Sequence, residues 1–351
     1  MNSLIKKILF FTCIIFCLAA NAQKFNKKKR YWSVGGSLNA MNYMGDLNPF
    51  NFFISTALPY TRWNFGATVL YRYGPRTSFR GAFAYGRIEG DDRKTQSPDY
   101  AKESYWRYIR GTNFRNELFE LKVDAVFDLF ENRGRYNKRV IWTPYAFIGL
   151  AYLYHNPVAD YGQGYQPVKD NLKSLKDKSP LDKALFSHQL VVPFGIGVRW
   201  RLTGQWDIAA EFGWRKTFTP YLDGVSGPYG DPRTMTAQEK LYDNPSMVGY
   251  GSNGAVTDAI NKQGVYVYDM QGTEPTRYFG GGENVNNAEI VAEVSQFQAN
   301  PDRYYVTPRG FGWGESNDKK AEIGKADWYM VIGVHLTYII PEYVKCPKFR
   351  D

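Results

Sequence analysis

The chain has 351 residues, with 44 Lys and Arg against 34 Asp and Glu, a net charge of +10, and 27 tyrosines among 17 % aromatic residues. Its mean hydropathy is negative, which excludes a helical membrane protein, whereas a β-barrel escapes that test because only every second strand residue faces lipid. Length alone permits two soluble domains, but the strand patterning argues for one barrel that carries a large loop.

The first element is a secretory signal. Lys6 and Lys7 precede the apolar run Ile8–Leu18, and Ala20-Asn21-Ala22 places small residues at −3 and −1. The run is too short to span a bilayer comfortably, so residues 1–22 are predicted to be a cleaved signal peptide, with 23–351 as the mature barrel. Bulky residues precede Cys13 and Cys17, with no small-residue lipobox, so no lipoprotein is expected. Cys346 is then the remaining thiol, which rules out an internal disulfide framework and leaves a bystander or a partner-linking cysteine.

Eight stretches then alternate apolar and polar residues: Trp32–Met41, Trp63–Tyr73, Phe79–Ile88, Glu117–Phe130, Trp142–Tyr154, Leu190–Leu202, Trp206–Arg215 and Trp328–Tyr338. The gaps alternate short and long, the short ones being Gly74-Pro75, Glu131–Val140 and Thr203-Gly204-Gln205. An even strand number with short turns at one end and long loops at the other predicts an eight-stranded antiparallel up-and-down outer-membrane barrel, both termini periplasmic. Period two assigns faces. Phe119, Leu121, Val123 and Phe127 oppose Glu120, Lys122, Asp124 and Asp128; Leu190, Phe194, Ile196 and Trp200 oppose Arg199 and Arg201; Trp206, Ile208 and Phe212 oppose Asp207, Glu211 and Arg215. Facing is ambiguous in the third and fifth stretches. Trp and Tyr recur at strand ends, as interfacial girdles require. Eight strands enclose a space that side chains fill, so Arg72, Glu120, Lys122, Asp124, Arg199, Glu211 and Arg215 are expected to form a lumenal ion-pair network rather than line a diffusion pore.

The last loop, 216–326, holds Gly- and Asn-rich clusters, the alternating runs Val265–Tyr268 and Tyr304–Val306, and a helix-like piece Asn287–Gln298. A structureless loop of this size is uncommon, so a small hairpin subdomain or a plug is expected. The periplasmic segments, including the 341–351 tail, carry thirteen basic residues against three acids. Removal of Lys6 and Lys7 leaves a mature charge of +8, so strands and outer loops together sit near −2. Lys27, Lys28, Lys29, Arg30, Arg133, Arg135, Lys138 and Arg139 therefore mark a basic face suited to an acidic partner, with a solvated face or contact with anionic lipid headgroups as the bland readings.

No convincing catalytic set appears. His155 and His188 flank the third long loop, and His335 lies on the polar face of the last strand; Ser187-His188 is the one adjacent Ser/His pair, and adjacency says nothing about geometry. Gly310-Phe311-Gly312-Trp313-Gly314 lacks the βαβ context and the Lys-Ser/Thr of a nucleotide loop. No metal spacing is present, and Asp223, Asp231 and Asp243 do not form a calcium loop. No cofactor is expected, and the location excludes nucleic acid.

Three places carry a family resemblance: Tyr43-Met44-Gly45-Asp46-Leu47; Thr217-Phe218-Thr219-Pro220-Tyr221-Leu222-Asp223-Gly224-Val225-Ser226-Gly227-Pro228-Tyr229; and Asp327-Trp328-Tyr329-Met330 onward to Leu336-Thr337-Tyr338, with Cys346-Pro347 near the end. Together these resemble the PorG-like outer-membrane barrels of the Bacteroidota, Tyr221, Leu222, Asp223, Val225 and Ser226 being the most specific element. Pro220 and Gly224 depart from acidic positions usual in that stretch. The resemblance implies a non-enzymatic barrel of a type IX secretion or gliding assembly, docked to periplasmic ring proteins of the PorK/PorN type. The Tyr221–Ser226 stretch also reads as a loop anchor with ordinary turn chemistry. Two other functions stay open: a surface-binding barrel whose loop aromatics (Tyr278, Phe279, Tyr304, Tyr305, Phe311, Trp313) engage a glycan or cell-surface protein, and a lipid A-modifying enzyme.

Overall fold

Alternation is carried by strands that outrun the alternating stretches at most ends. In the computed structural model these are β1 (Tyr31–Met44), β2 (Arg62–Arg72), β3 (Thr77–Asp91), β4 (Asn113–Asp128), β5 (Trp142–Asp160), the short β6 (Tyr165–Pro167), β7 (His188–Arg201), β8 (Trp206–Thr217), three loop strands β9 (Val265–Asp269), β10 (Pro275–Phe279) and β11 (Tyr304–Pro308), and β12 (Trp328–Ile340). The structure describes residues 29–45, 47, 58–96, 99, 105–160, 165–168, 187–226, 229–236, 239–240, 243, 259–272, 275–280, 287–300, 302–310 and 326–341. The predicted signal peptide, Lys27, Lys28, Phe311, Trp313 and Cys346 lie outside them.

Each barrel strand pairs antiparallel with its chain neighbour. β12 closes on β1 with Trp32 opposite Ile340, and β4 meets β5 with Asp124 opposite Gly149. The result is a closed eight-stranded antiparallel barrel with β6 added beside the end of β5. Closure pairs the backbone groups of every strand, which frees the outer wall to be apolar. That wall exposes Leu121, Val123, Leu150, Leu190 and Ile196, each at least 55 % accessible. Trp32, Tyr71, Trp142, Trp200, Trp206 and Tyr338 ring the short-turn end in facing pairs, while Trp63, Tyr85, Phe119, Tyr154 and Trp328 stand near the other. From Trp142 to Tyr154 the chain climbs about 40 Å, or roughly 28 Å along the axis at a tilt of about 45°, the height of a bilayer core.

Both ambiguous strands resolve. β3 points Ser78, Arg80, Ala82 and Ile88 inward and Phe79 and Phe83 outward. β5 points Thr143, Tyr145, Phe147, Ala151 and Leu153 inward and Ile148, Leu150 and Tyr152 outward.

The long loop folds. β10, β9 and β11 form a three-stranded antiparallel sheet, and the helix Asn287–Gln298 packs on one face of it through Phe297, which meets Phe279 and Tyr304. Two short helices, α1 (Asp92–Thr95) and α2 (Tyr105–Arg110), come from the β3–β4 loop; Asn287–Gln298 is α3. Tyr105 and Ile109 of α2 join Val265, Val267, Phe279, Val294 and Val306 in one buried cluster, so two loops share a cap over the barrel. Asp92 and Arg110 form a fully buried pair at 2.6 Å beneath it. Burial alone would pull the Arg110 guanidinium down, but the Asp92 carboxylate raises it above its ordinary value. The cap consumes most of the aromatic set considered for ligand binding: Phe279 and Tyr305 are buried, Tyr304 is half-buried, and Tyr278 alone of the described members is exposed.

Candidate functional site

The lumen is built in three layers. Midway, Arg80 from β3 donates to Asp124 of β4 at 2.8 and 2.9 Å and to Glu211 of β8. Lys122 lies 3.3 Å from Asp124 and 3.9 Å from Glu120, and Arg215 donates to Glu120 at 3.2 Å. Tyr145 donates to Glu211 at 2.6 Å, Tyr329 donates to Glu120, and His335 Nε2 sits 3.3 Å from Glu211. Three cations and three carboxylates balance here. The Phe147 ring lies among them, with Arg80 and Lys122 at 4.9 and 5.6 Å from its centre. Gly213 makes room, since a Cβ there would stand 2.8 Å from both Phe147 and Arg215. Buried charges persist only when paired and hydrogen-bonded in this way.

Toward the short-turn end, Asp128 pairs with Arg72 and, at 3.3 Å, with Arg199, while Arg139 pairs with Asp207 and donates to the Tyr136 carbonyl at 2.6 Å. All seven residues assigned to the lumen thus face inward and form ion pairs. Arg139 is a correction: it is counted with the basic docking face, yet its side chain turns into the mouth and is buried, because Asp207 on β8 faces it across the turn. Arg80, Tyr145, Phe147 and Tyr329 are lumenal residues beyond those seven, and the spacing Ser78, Arg80, Ala82 on β3 is the sequence signal that finds Arg80.

Toward the long-loop end the layer is apolar and is closed by the segment after β8. Leu222 and Val225 are buried among Met41, Ile88, Phe114, Leu118, Leu153 and Val191. The Tyr43 hydroxyl lies 2.7 Å from Asp223 and 2.8 Å from Asp327. Asp327 also accepts from the Leu222 amide at 2.9 Å, Asp223 from the Val225 amide at 2.9 Å, and Asn116 donates to the Leu222 carbonyl at 2.8 Å. Gly224 takes a φ of 79° in this turn, where a Cβ is strained. Burial pushes the Tyr221 hydroxyl up, with Ser226 as its hydrogen-bond partner. The Tyr221–Ser226 stretch is therefore a plug anchored to the barrel mouth.

Asp231 accepts from the Arg233 amide at 3.0 Å and Asp243 from the Gly230 amide at 3.2 Å. His155 is buried beside Asn116 at 3.4 Å, and His188 packs on Tyr152 and Tyr154 on the outer wall.

Beside the ion layer, against Ser37, Asn39 and Asn64, the lumen keeps a cavity of about 20 Å³, room for about one water. The chain inserted into a planar bilayer is accordingly expected to show no steady conductance; a reproducible conductance step would overturn the filled lumen.

At the short-turn rim Arg76, Arg133, Arg135 and Lys138 are exposed, Arg133 pairing with Glu131 at 2.8 Å. Lys29 and Arg30 are half-buried, Arg30 lying 4.6 Å over the Tyr73 ring.

No curated protein sequence matches the chain. Among solved structures it is similar to Neisserial surface protein A, with 14 % identity over 53 % of this chain and 82 % of that one and a TM-score of 0.28. It is also similar to Ail of Yersinia pestis, with 10 % identity, 54 % and 87 % coverage and a TM-score of 0.28. A major outer membrane protein from Thermus thermophilus is similar at 9 % identity, 89 % and 99 % coverage and a TM-score of 0.33. The model of the family described as a domain of unknown function (DUF6089) matches residues 6–235, a span that takes in seven of the eight barrel strands and the Tyr221–Ser226 plug, and the chain belongs to that family.

Proposed function

We propose that the protein is a non-enzymatic outer-membrane anchor that docks an acidic periplasmic assembly on its short-turn rim. The apolar wall between two aromatic belts supports membrane insertion, and a secretory signal with a β-barrel points to the outer membrane. The short turns and both barrel ends lie on one rim, which this reading places in the periplasm. A filled lumen whose charged side chains are ion-paired offers no solute path and makes a rigid peg instead.

The observation that carries the docking is the rim itself: Arg76, Arg133, Arg135 and Lys138 are exposed there, and among the described residues of that rim Glu131 is the one exposed acid. Lys27 and Lys28 precede β1 in the sequence. Such a field speeds and orients encounter with an acidic surface. The PorG-like resemblance names the partner as a PorK/PorN-type ring of a type IX secretion assembly, with Cys346 as a candidate covalent link. Reversing Lys27, Lys28, Lys29, Arg133, Arg135 and Lys138 to glutamate is expected to cut recovery of ring components in a mild-detergent pull-down by at least about tenfold. Undiminished recovery, with the barrel folded, would sink the charge-driven docking.

A further inference from the structure

The outer wall ends, on the long-loop side, in charges rather than in apolar residues. Arg87 and Glu117 face each other across β3 and β4 at 2.8 Å, and Glu89 faces Arg115 one pair further out. Directly below stand Tyr85, Phe119 and Tyr154, with ring centres 4.8 and 6.1 Å apart in succession. This belt lies at the height where an aromatic girdle gives way to lipid headgroups.

Its charges are unevenly satisfied. Arg62 holds Glu89 and also donates to the carbonyls of Pro59 and Thr61 at 2.9 Å. Arg115 reaches Glu89 only at 3.7 Å, beyond hydrogen-bond distance. Its Nε is buried without an acceptor, and its guanidinium donates to no described residue, so the terminal nitrogens are the donors left for a ligand. The same group lies over the Tyr165 ring, 4.2 Å from its centre, and the side chain is 35 % accessible. Three arginines face two glutamates, which leaves the belt cationic.

A guanidinium fork with unfilled donors matches the geometry of a phosphate, which it grips through two parallel bonds. At this height the neighbouring molecule is a lipid. We propose that Arg115, with Arg87 diagonal to it across the strand pair, binds a phosphate of a phosphorylated glycolipid in the outer leaflet, the sugar and upper acyl chains lying on Phe119 and Tyr154. The proposal rests on the membrane orientation given above, though not on the docking rim.

The test is native mass spectrometry of the detergent-solubilised full chain titrated with synthetic diphosphoryl lipid A, its dephosphorylated form, and phosphatidylglycerol. Folding of each variant is checked by heat-modifiable gel migration. Diphosphoryl lipid A is expected to bind, with Arg115→Gln weakening it about tenfold, the scale of one charge-assisted hydrogen bond, and Arg303→Gln on the cap leaving it unchanged. Equal binding of the dephosphorylated lipid or of phosphatidylglycerol, or an Arg115→Gln variant equal to the parent, would overturn the proposal. Arg115→Gln should leave ring recovery intact and rim reversal should leave lipid binding intact, so each reading fails on its own measurement.

Discussion

Replacing Arg80 by methionine is expected to destabilise the barrel by about 3–5 kcal/mol, the cost of leaving buried charges without their counter-ion. Arg80 is the one residue that bridges Asp124 and Glu211 among the described lumen contacts. All three side chains are at most 6 % accessible, so water cannot take over. Without Arg80, Asp124 keeps Lys122 at 3.3 Å, but Glu211 is left with Tyr145 and His335, neither a permanent cation. The midway layer then holds three carboxylates against two fixed cations. Removing the stranded acid as well, in Arg80→Met/Glu211→Met, restores the balance and is expected to recover more than half of the loss, since a well-packed apolar pair often equals a buried ion pair. Urea unfolding in liposomes, read by heat-modifiable migration, measures both. A single-variant loss below about 1 kcal/mol, or a double variant as weak as the single, would mean that the lattice is not what holds the lumen.

How much of this was legible varies with the range of the interaction. Strand faces follow from period two because each residue's side is decided locally, which is why Glu120, Lys122 and Asp124 could be placed on one wall of β4. The fifth strand blurred because Tyr145 and Phe147 point inward: the ions need an aromatic platform, so the polar face carries apolar residues. The third blurred because small residues, Ala82, Ala84 and Gly81, occupy both faces. In the cap, β9 and β11 alternate and helix α3 has its full length in the sequence pattern, whereas β10 begins at Pro275 and shifts register before Arg277, which hides it. Arg139 is misplaced because a charged residue in a short turn reads as exposed, and nothing local announces its partner Asp207 on β8.

Least legible was the mouth. Leu222 and Asp327 are separated by 105 positions and Tyr43 and Asp327 by 284, and no periodicity spans such distances. Replacing Asp327 by alanine is expected to release the plug while the barrel stays closed. The substitution removes an acceptor of the Tyr43 hydroxyl and orphans the Leu222 amide, both buried. A lost charge-assisted bond costs about 1.5–3 kcal/mol and an unsatisfied amide about 1–3 kcal/mol, so local opening should rise by at least about tenfold. Trypsin cleavage after Arg233, which is exposed just past the plug, reports that opening, because cleavage tracks the open population when reclosing is fast. Tyr43→Phe should give a smaller rise, since Asp327 still accepts from Leu222. Both variants should keep heat-modifiable migration and show no conductance, because the ion layer beneath is untouched. Cleavage of Asp327→Ala at the parent rate would show that apolar packing of Leu222 and Val225 holds the mouth without the carboxylates. A conductance step in the same variant would make the plug, rather than the lattice, the seal.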